Sequence, residues 1–144
     1  MSKVIAIDPG IFKCGLIIAD IEEKKVYEAI VIQSHLLLKY VKKYLNDNDP
    51  KFLIGNGTSS KNYVEDLNHL VPDLIIAEEN NSTFRAKQRY YEIFPIRGIK
   101  NFLPREIFIL NKNLDALAAL IIMEDYFNFK FDISEQIKTK TWLK

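Results

Sequence analysis

The chain has 144 residues, 48% of them apolar and 27% charged, with 20 Lys and Arg against 19 Asp and Glu for a net charge of +1. That is enough chain for one domain with a real core, and the near-neutral balance argues against broad, non-specific polyanion binding. One cysteine and two histidines exclude an internal disulfide framework and a closed zinc site, and no apolar run nears the ~20 residues that span a bilayer.

The stretch KVIAIDPGIFKCGLIIAD, from Lys3 to Asp20, holds two short apolar runs, Val4-Ile5-Ala6-Ile7 and Leu16-Ile17-Ile18-Ala19, around a break that begins Asp8-Pro9-Gly10 and closes at Gly15. Short β-branched runs bounded by turn residues predict strands. Pro9 presets φ and Gly10 tolerates positive φ, so the chain reverses directly after Asp8. The first run is also too short for a secretory signal. A cytoplasmic location and no membrane partner are expected.

Val26 to Gln33 predicts a third strand, and three runs so close in sequence predict an antiparallel meander. Ser34 is expected to cap a helix carrying Leu37, Leu38, Val41 and Leu45. Phe52 to Ile54 predicts a fourth strand, which leads into Gly55-Asn56-Gly57-Thr58-Ser59-Ser60 and a helix with Val64, Leu67 and Leu70 on one stripe. Leu74 to Ala77 predicts a fifth strand, closing in Glu78-Glu79. Thr83 to Phe94 reads as a helix, Pro95 to Lys112 as an irregular excursion, and Leu114 to Phe127 as the strongest helix. The expectation is an α/β domain over residues 1–130, with a loosely held tail over 131–144. Its sheet would be five-stranded and mixed, strands 1–3 antiparallel and strands 4 and 5 parallel, with helices on both faces. Ligands gather at the carboxyl ends of strands in such sheets.

Three acidic positions interrupt apolar surroundings: Asp8, Glu78 or Glu79, and Asp115 in NLDALAALII. Carboxylates gathered at one sheet edge repel one another unless a cation sits among them. Hard oxygen ligands suit Mg2+ or Mn2+, and paired ions of this kind activate water and stabilise the leaving oxygen of a phosphodiester. Each acid also has a plainer reading: Asp8 as a turn former, Asp115 as a helix-start acid favoured by the dipole, Glu78-Glu79 as a solvated strand end.

The GNGTSS loop offers N–H groups and hydroxyls at a helix start, a natural anion cradle, or simply a capped helix. From Phe84 to Lys112 there are seven basic residues, among them Arg85, Arg89, Arg97, Lys100 and Arg105, against two acidic ones, a net +5, with Tyr90, Tyr91, Phe94 and Phe102 between them. Basic residues interleaved with aromatics suit nucleic acid; a solvated helix face with core aromatics is the plainer reading. Cys14, His35 and His69 have no acidic or nucleophilic neighbour in sequence and are assigned no catalytic role.

Four of these motifs, in this order, resemble those of RuvC-like Holliday junction resolvases and the YqgF family, within the ribonuclease H-like fold. AIDPGIFKCGLIIAD resembles their opening hairpin, IGNGTSS the loop after the fourth strand, AEENNST the acidic strand end before a helix, and NLDALAALII the final helix. Together they span Ile5 to about Phe127. The resemblance implies a first strand that is central and beside the fourth. It also implies a metal-dependent nuclease in which Asp8, Glu79 and Asp115 bind Mg2+ or Mn2+ and carry catalysis, the spacing to Ser82-Thr83 choosing Glu79 over Glu78. The chain departs from RuvC resolvases at Asn80, where a basic residue is usual, and at Ala118 and Ala119, where a further acid or histidine is usual.

The function expected is therefore an endonuclease acting on structured nucleic acid, such as branched DNA or precursor ribosomal RNA. Gly10, Lys13, Asn56, Thr58, Ser59, Arg85, Arg89, Arg97, Lys100 and Arg105 are the expected nucleic-acid contacts, and a homodimer would suit a two-fold substrate. The competing expectation is a catalytically inactive module of the same fold that binds nucleic acid or a protein.

Overall fold

The two β-branched runs of the opening stretch form antiparallel neighbours, β1 (Lys3–Asp8) and β2 (Lys13–Asp20), paired from Lys3–Asp20 to Asp8–Gly15. They belong to a computed structural model that describes residues 2–45, 50–57, 61–78, 82–93 and 111–133, the side chains of 62, 82–84, 87 and 111–115 excepted. β3 (Lys25–Gln33) continues the meander against β2, with a register shift at Ile18/Ala19. The tight turn before β3 is held by Asp20, whose buried carboxylate accepts the Glu23 N–H at 2.9 Å, and by Lys24 at φ 53°.

α1 (Leu37–Leu45) leads to β4 (Lys51–Gly55), which lies parallel to β1, and α2 (Lys61–Leu70) leads to β5 (Ile75–Ala77), parallel to β4. α3 (Ser82–Ile93) and α4 (Asn111–Phe127) follow, and the described chain ends in a short strand, β6 (Asp132–Ile133), parallel to the start of β3. The sheet order is β5-β4-β1-β2-β3-β6. The fold is thus α/β with a mixed sheet of six strands rather than the five expected. β1 is central, with β2 on one side and β4 on the other.

Side chains alternate across each strand, and the two sheet faces carry separate cores. Ile5, Ile7, Leu16, Ile18, Ile30, Phe52 and Ile54 pack against Leu37 and Val41 of α1 and Leu67 of α2. Val4, Ala6, Ile17, Ala29, Val31 and Leu53 pack against Ala86 and Tyr90 of α3 and the long buried run of α4. Helices therefore cover both faces. In α4, every residue from Ala116 to Glu124 is buried. A helix apolar on all sides needs cover on all sides, and α4 lies between the sheet and α3.

Two expectations are corrected here. Ser34 does not cap α1: it opens a single 3-10 turn, Ser34–Leu36, without a side-chain cap. The loose tail expected over 131–144 also begins inside the fold, with Phe131 and Ile133. Phe131 is buried in the α4-side core, with Phe129 packed against that core and Ile133 buried in β6. Burying a ring of that size contributes roughly 2–3 kcal/mol, enough to fix a two-residue strand that has almost no propensity signal of its own. Residues 134–144 lie outside those described.

Candidate functional site

β1, β3, β4 and β5 run in the same direction, so their carboxyl ends share one edge of the sheet. Asp8 ends β1 at this edge, half-buried. By alternation with Val4 and Ala6 it faces the α3–α4 side. Its cross-strand partner on β2 is Gly15. On β4, Gly55 stands one step past the Ile7–Ile54 pair, and Gly55 in turn pairs with Ala77 of β5. The row Ala77–Gly55–Asp8–Gly15 therefore places one carboxylate on a floor nearly free of side chains. Cross-strand neighbours on one face are the atoms a ligand there would meet first.

The turn beyond Asp8 is braced from three directions. The Gly10 carbonyl accepts the hydroxyl of Ser34 at 2.8 Å and that of Tyr63 at 2.8 Å. The Ser34 N–H donates to the Phe12 carbonyl at 2.9 Å. A Cβ on Gly10 would stand 2.3 Å from the Lys13 carbonyl oxygen, a distance no side chain tolerates. Gly10 is thus required by close backbone approach. Between β4 and β5, the Asn56 N–H donates to the Ala77 carbonyl at 2.9 Å and extends the ladder past Gly55.

α4 ends beside β6, which pairs with Lys25 and Val26 at the start of β3. Its C-terminal end therefore lies at the edge opposite Asp8, and its early turns are directed toward the Asp8 edge. Asp115 is the fifth residue of a helix that begins at Asn111, three residues earlier than expected. Dipole stabilisation fades beyond the first turn, so the helix-start reading of Asp115 loses its physical basis. Its side chain lies outside those described, as does all of Glu79. Glu78 is described: it is exposed, and the alternation Ile75, Ala77 toward α3 and α4 puts it on the other phase from Asp8.

Among the described residues there is no group of three His, Cys, Asp or Glu; of the three expected ligands, only Asp8 has a described side chain. Asp8 supplies one carboxylate at the end of its strand, with glycine on the neighbouring strand positions; a carboxylate oxygen is the donor type that hard divalent cations take. Ala118 and Ala119 are buried in the core.

The basic residues divide. Arg97, Lys100 and Arg105, with Thr58 and Ser59, lie outside the described residues. Gly10, Lys13 and Asn56 lie at the carboxyl edge. Arg85 and Arg89 lie elsewhere, near the C-terminal end of α4. Arg85 forms a two-pronged pair with Asp125, one prong at 2.6 Å. Arg89 donates to both carboxylate oxygens of Glu124 at 3.2 Å, to Glu92 at 3.0 Å and to the Phe131 carbonyl at 2.9 Å. Glu124 also accepts the Phe131 N–H at 2.8 Å. Burial pushes the Glu124 carboxyl up, against the pull of the Phe131 N–H and Arg89. For Glu92, burial works in the same direction, but Lys130 and Arg89 outweigh it and hold the carboxyl low. This network ties β6 to α3 and α4, so Arg89 has a structural role. A groove of about 560 Å3 beside it, lined by Gln88, Ile121 and Asn128 among others, is remote from Asp8.

Three residues of the edge escape sequence reasoning. Tyr63 carries no local signal, since its partner is 53 residues away. Ile11 and Phe12 do carry one: two bulky apolar residues stand inside a turn, where polar residues are usual. The sequence matches no protein-family model and no curated protein.

Proposed function

We propose that this chain is a metal-dependent endonuclease of the RuvC/YqgF type within the ribonuclease H-like fold, hydrolysing phosphodiester bonds in branched DNA or structured RNA. The observation that carries this reading is the position of Asp8: it ends the central strand, between Gly15 and Gly55, on the face that α4 covers. The sheet order, with β1 beside β4, supports the ribonuclease H-like assignment. The fifth-residue position of Asp115 in α4 supports its pairing with Asp8 over a capping role.

Asp8, Glu79 and Asp115 would hold a Mg2+ or Mn2+ ion, because a hard cation prefers carboxylate oxygens. When bound, such an ion supplies a more acidic water and offsets charge on the phosphate. The braced turn at Gly10 fixes the Asp8 carboxylate, and the glycines beside it leave room for a phosphate to approach. Lys13, on the same phase of β2 as Gly15, borders that approach and would orient the phosphodiester.

The test is a substrate panel. Four-way junction, forked DNA, duplex DNA and structured RNA are each incubated with Mg2+, Mn2+ or chelator. Cleavage of a structured substrate that requires the metal supports the proposal. Cleavage that persists in chelator contradicts it, and tight binding without cleavage under any condition indicates the inactive module instead.

A further inference from the structure

β3 and α1 meet in an open groove of about 530 Å3. Its floor is apolar, made by Ile32 near the end of β3, Leu36 in the 3-10 turn and Tyr40 on α1. Leu36 is 40% exposed there. Ile32 and Tyr40 pack against the α1-side core, so the groove lies on the face of the sheet opposite the one that carries Asp8. The groove wall is preformed: the Tyr40 and Tyr44 hydroxyls share a hydrogen bond at 3.0 Å, and their ring centroids are 4.9 Å apart. Little side-chain entropy is then lost when a ligand enters.

The rim is basic. Lys39, Lys42 and Lys43 stand around the floor, and the stretch from Ser34 to Leu45 holds these three lysines and no Asp or Glu, in a chain whose total charge is +1. Lys39 and Lys42 have no ion pair among the described residues, whereas Arg85, Arg89 and Lys130 on the α3–α4 side are each paired with a carboxylate. Glu28, whose charge is felt at Tyr40, belongs to β3 and leaves the helix side wholly basic. Like charges four residues apart, such as Lys39 and Lys43, destabilise a helix, and a partner's carboxylates would relieve that.

An acidic amphipathic segment matches both features: its apolar side chains fill the groove and its carboxylates meet the lysines. A nucleic-acid duplex would meet the lysines but set phosphates against the apolar floor. A bilayer surface is flat and does not enter a groove. A second copy docked through the same face about a two-fold axis would set lysines against lysines.

We propose that the β3–α1 groove docks an acidic amphipathic segment of a partner protein, holding that partner on the face of the sheet opposite Asp8. The groove is independent of the nuclease reading, and a partner held there does not cover the Asp8 face.

The test is an unbiased selection. A display library of random peptides is selected on the whole wild-type chain, and the recovered peptides are synthesised and titrated by fluorescence anisotropy. They are expected to carry Asp or Glu beside Leu, Ile or Phe at helical spacing, and to bind more weakly as salt rises. Leu36→Asp and Lys39→Glu should each weaken binding about tenfold or more. Lys51→Glu, an equal change of charge at the exposed start of β4, should stay within about twofold of wild type. Lys39 is exposed, so Lys39→Glu should melt as wild type does and carries the test even where Leu36→Asp fails to fold. Recovered peptides that lack the acidic and apolar residues, equal binding by both groove variants, or no peptide recovered above background would each overturn the proposal. So would self-association, pelleting with phosphatidylserine vesicles or duplex binding that is lost in Lys39→Glu but not in Lys51→Glu, since these assign the groove to a second copy, a bilayer or nucleic acid. Metal-dependent cleavage should be unchanged by Lys39→Glu, so failure of the docking site and failure of the nuclease reading are told apart.

Discussion

The Tyr63 hydroxyl, on the first turn of α2, donates to the Gly10 carbonyl at 2.8 Å across 53 residues of chain. Together with Ser34 it makes the β1–β2 turn part of the tertiary structure rather than a free loop. Tyr63→Phe removes one hydroxyl and leaves the other, so the expected loss is about 1 kcal/mol, read as a lower urea midpoint with unchanged slope. The Tyr63→Phe/Ser34→Ala double variant should lose more than the sum of the two single variants, because both hydroxyls serve one acceptor.

Gly10→Ala should be costlier than either. Its Cβ meets the Lys13 carbonyl oxygen at 2.3 Å, and backbone cannot swing aside as a flexible side chain can. A loss of about 2 kcal/mol or more is expected, together with a displaced Asp8. Thermal melts and the cleavage rate should both fall. A variant as stable and as active as wild type would show that the turn relaxes freely.

Arg89 and Glu124 form a pair whose side chains are 12% and 7% exposed. Arg89→Met leaves a buried carboxylate without its partner, and a loss of about 3–5 kcal/mol is expected. At about 2–4 °C per kcal/mol for a domain of this size, the melting temperature should drop by roughly 10 °C. Adding Glu124→Leu should recover part of that, since no buried charge then remains. Affinity for nucleic acid, measured below the melting range, should be unchanged by Arg89→Met, because this arginine lies at the edge opposite Asp8.

Two carboxylates of the same network should move stability in opposite senses with pH. Glu92 is held below its ordinary value of 4.5. It stabilises the fold above that pH, and the contribution is lost as pH falls through the lower folded value. Glu92 is partly exposed, so the effect amounts to a few tenths of a kcal/mol. The stability gap between wild type and Glu92→Gln should therefore be present at pH 7 and close in acid. Glu124 is raised above 4.5 by burial. From 4.5 up to its folded value the native state holds more proton than the unfolded chain, so this group makes stability fall as pH rises. Glu124→Gln removes that slope, and its stability relative to wild type should climb with pH through the window. Urea melts at half-unit pH steps check both signs.

Five strands were legible as short apolar runs bounded by turn residues, and the helices by apolar residues recurring at helical spacing. β6 was not: two residues between Lys130 and the end of the described chain carry no period, and what holds them is Phe131 in a core built from residues far earlier. Ser34 read as a cap because caps are local patterns, whereas its partner is Gly10, 24 residues away. Arg85 and Arg89 read as phosphate contacts for the same reason, their carboxylates lying 35 to 40 residues on. Asp8 was legible because it ends an apolar strand before Pro-Gly. That its neighbours on β2 and β4 are both glycine follows only from register, which a sequence shows no more than indirectly.

The central claim is that Asp8 anchors the chemistry. It is tested most directly by the single-turnover cleavage rate of Asp8→Asn against wild type, on the best-cleaved substrate in saturating Mn2+, with Glu78→Gln as the neighbouring control. Asparagine keeps the size and the turn but removes the charge a cation needs. A loss of about a thousandfold or more is expected for Asp8→Asn, and a rate within about threefold of wild type for Glu78→Gln, which follows Ala77 of β5 on the other phase from Asp8. An Asp8→Asn rate within about tenfold of wild type would contradict that claim.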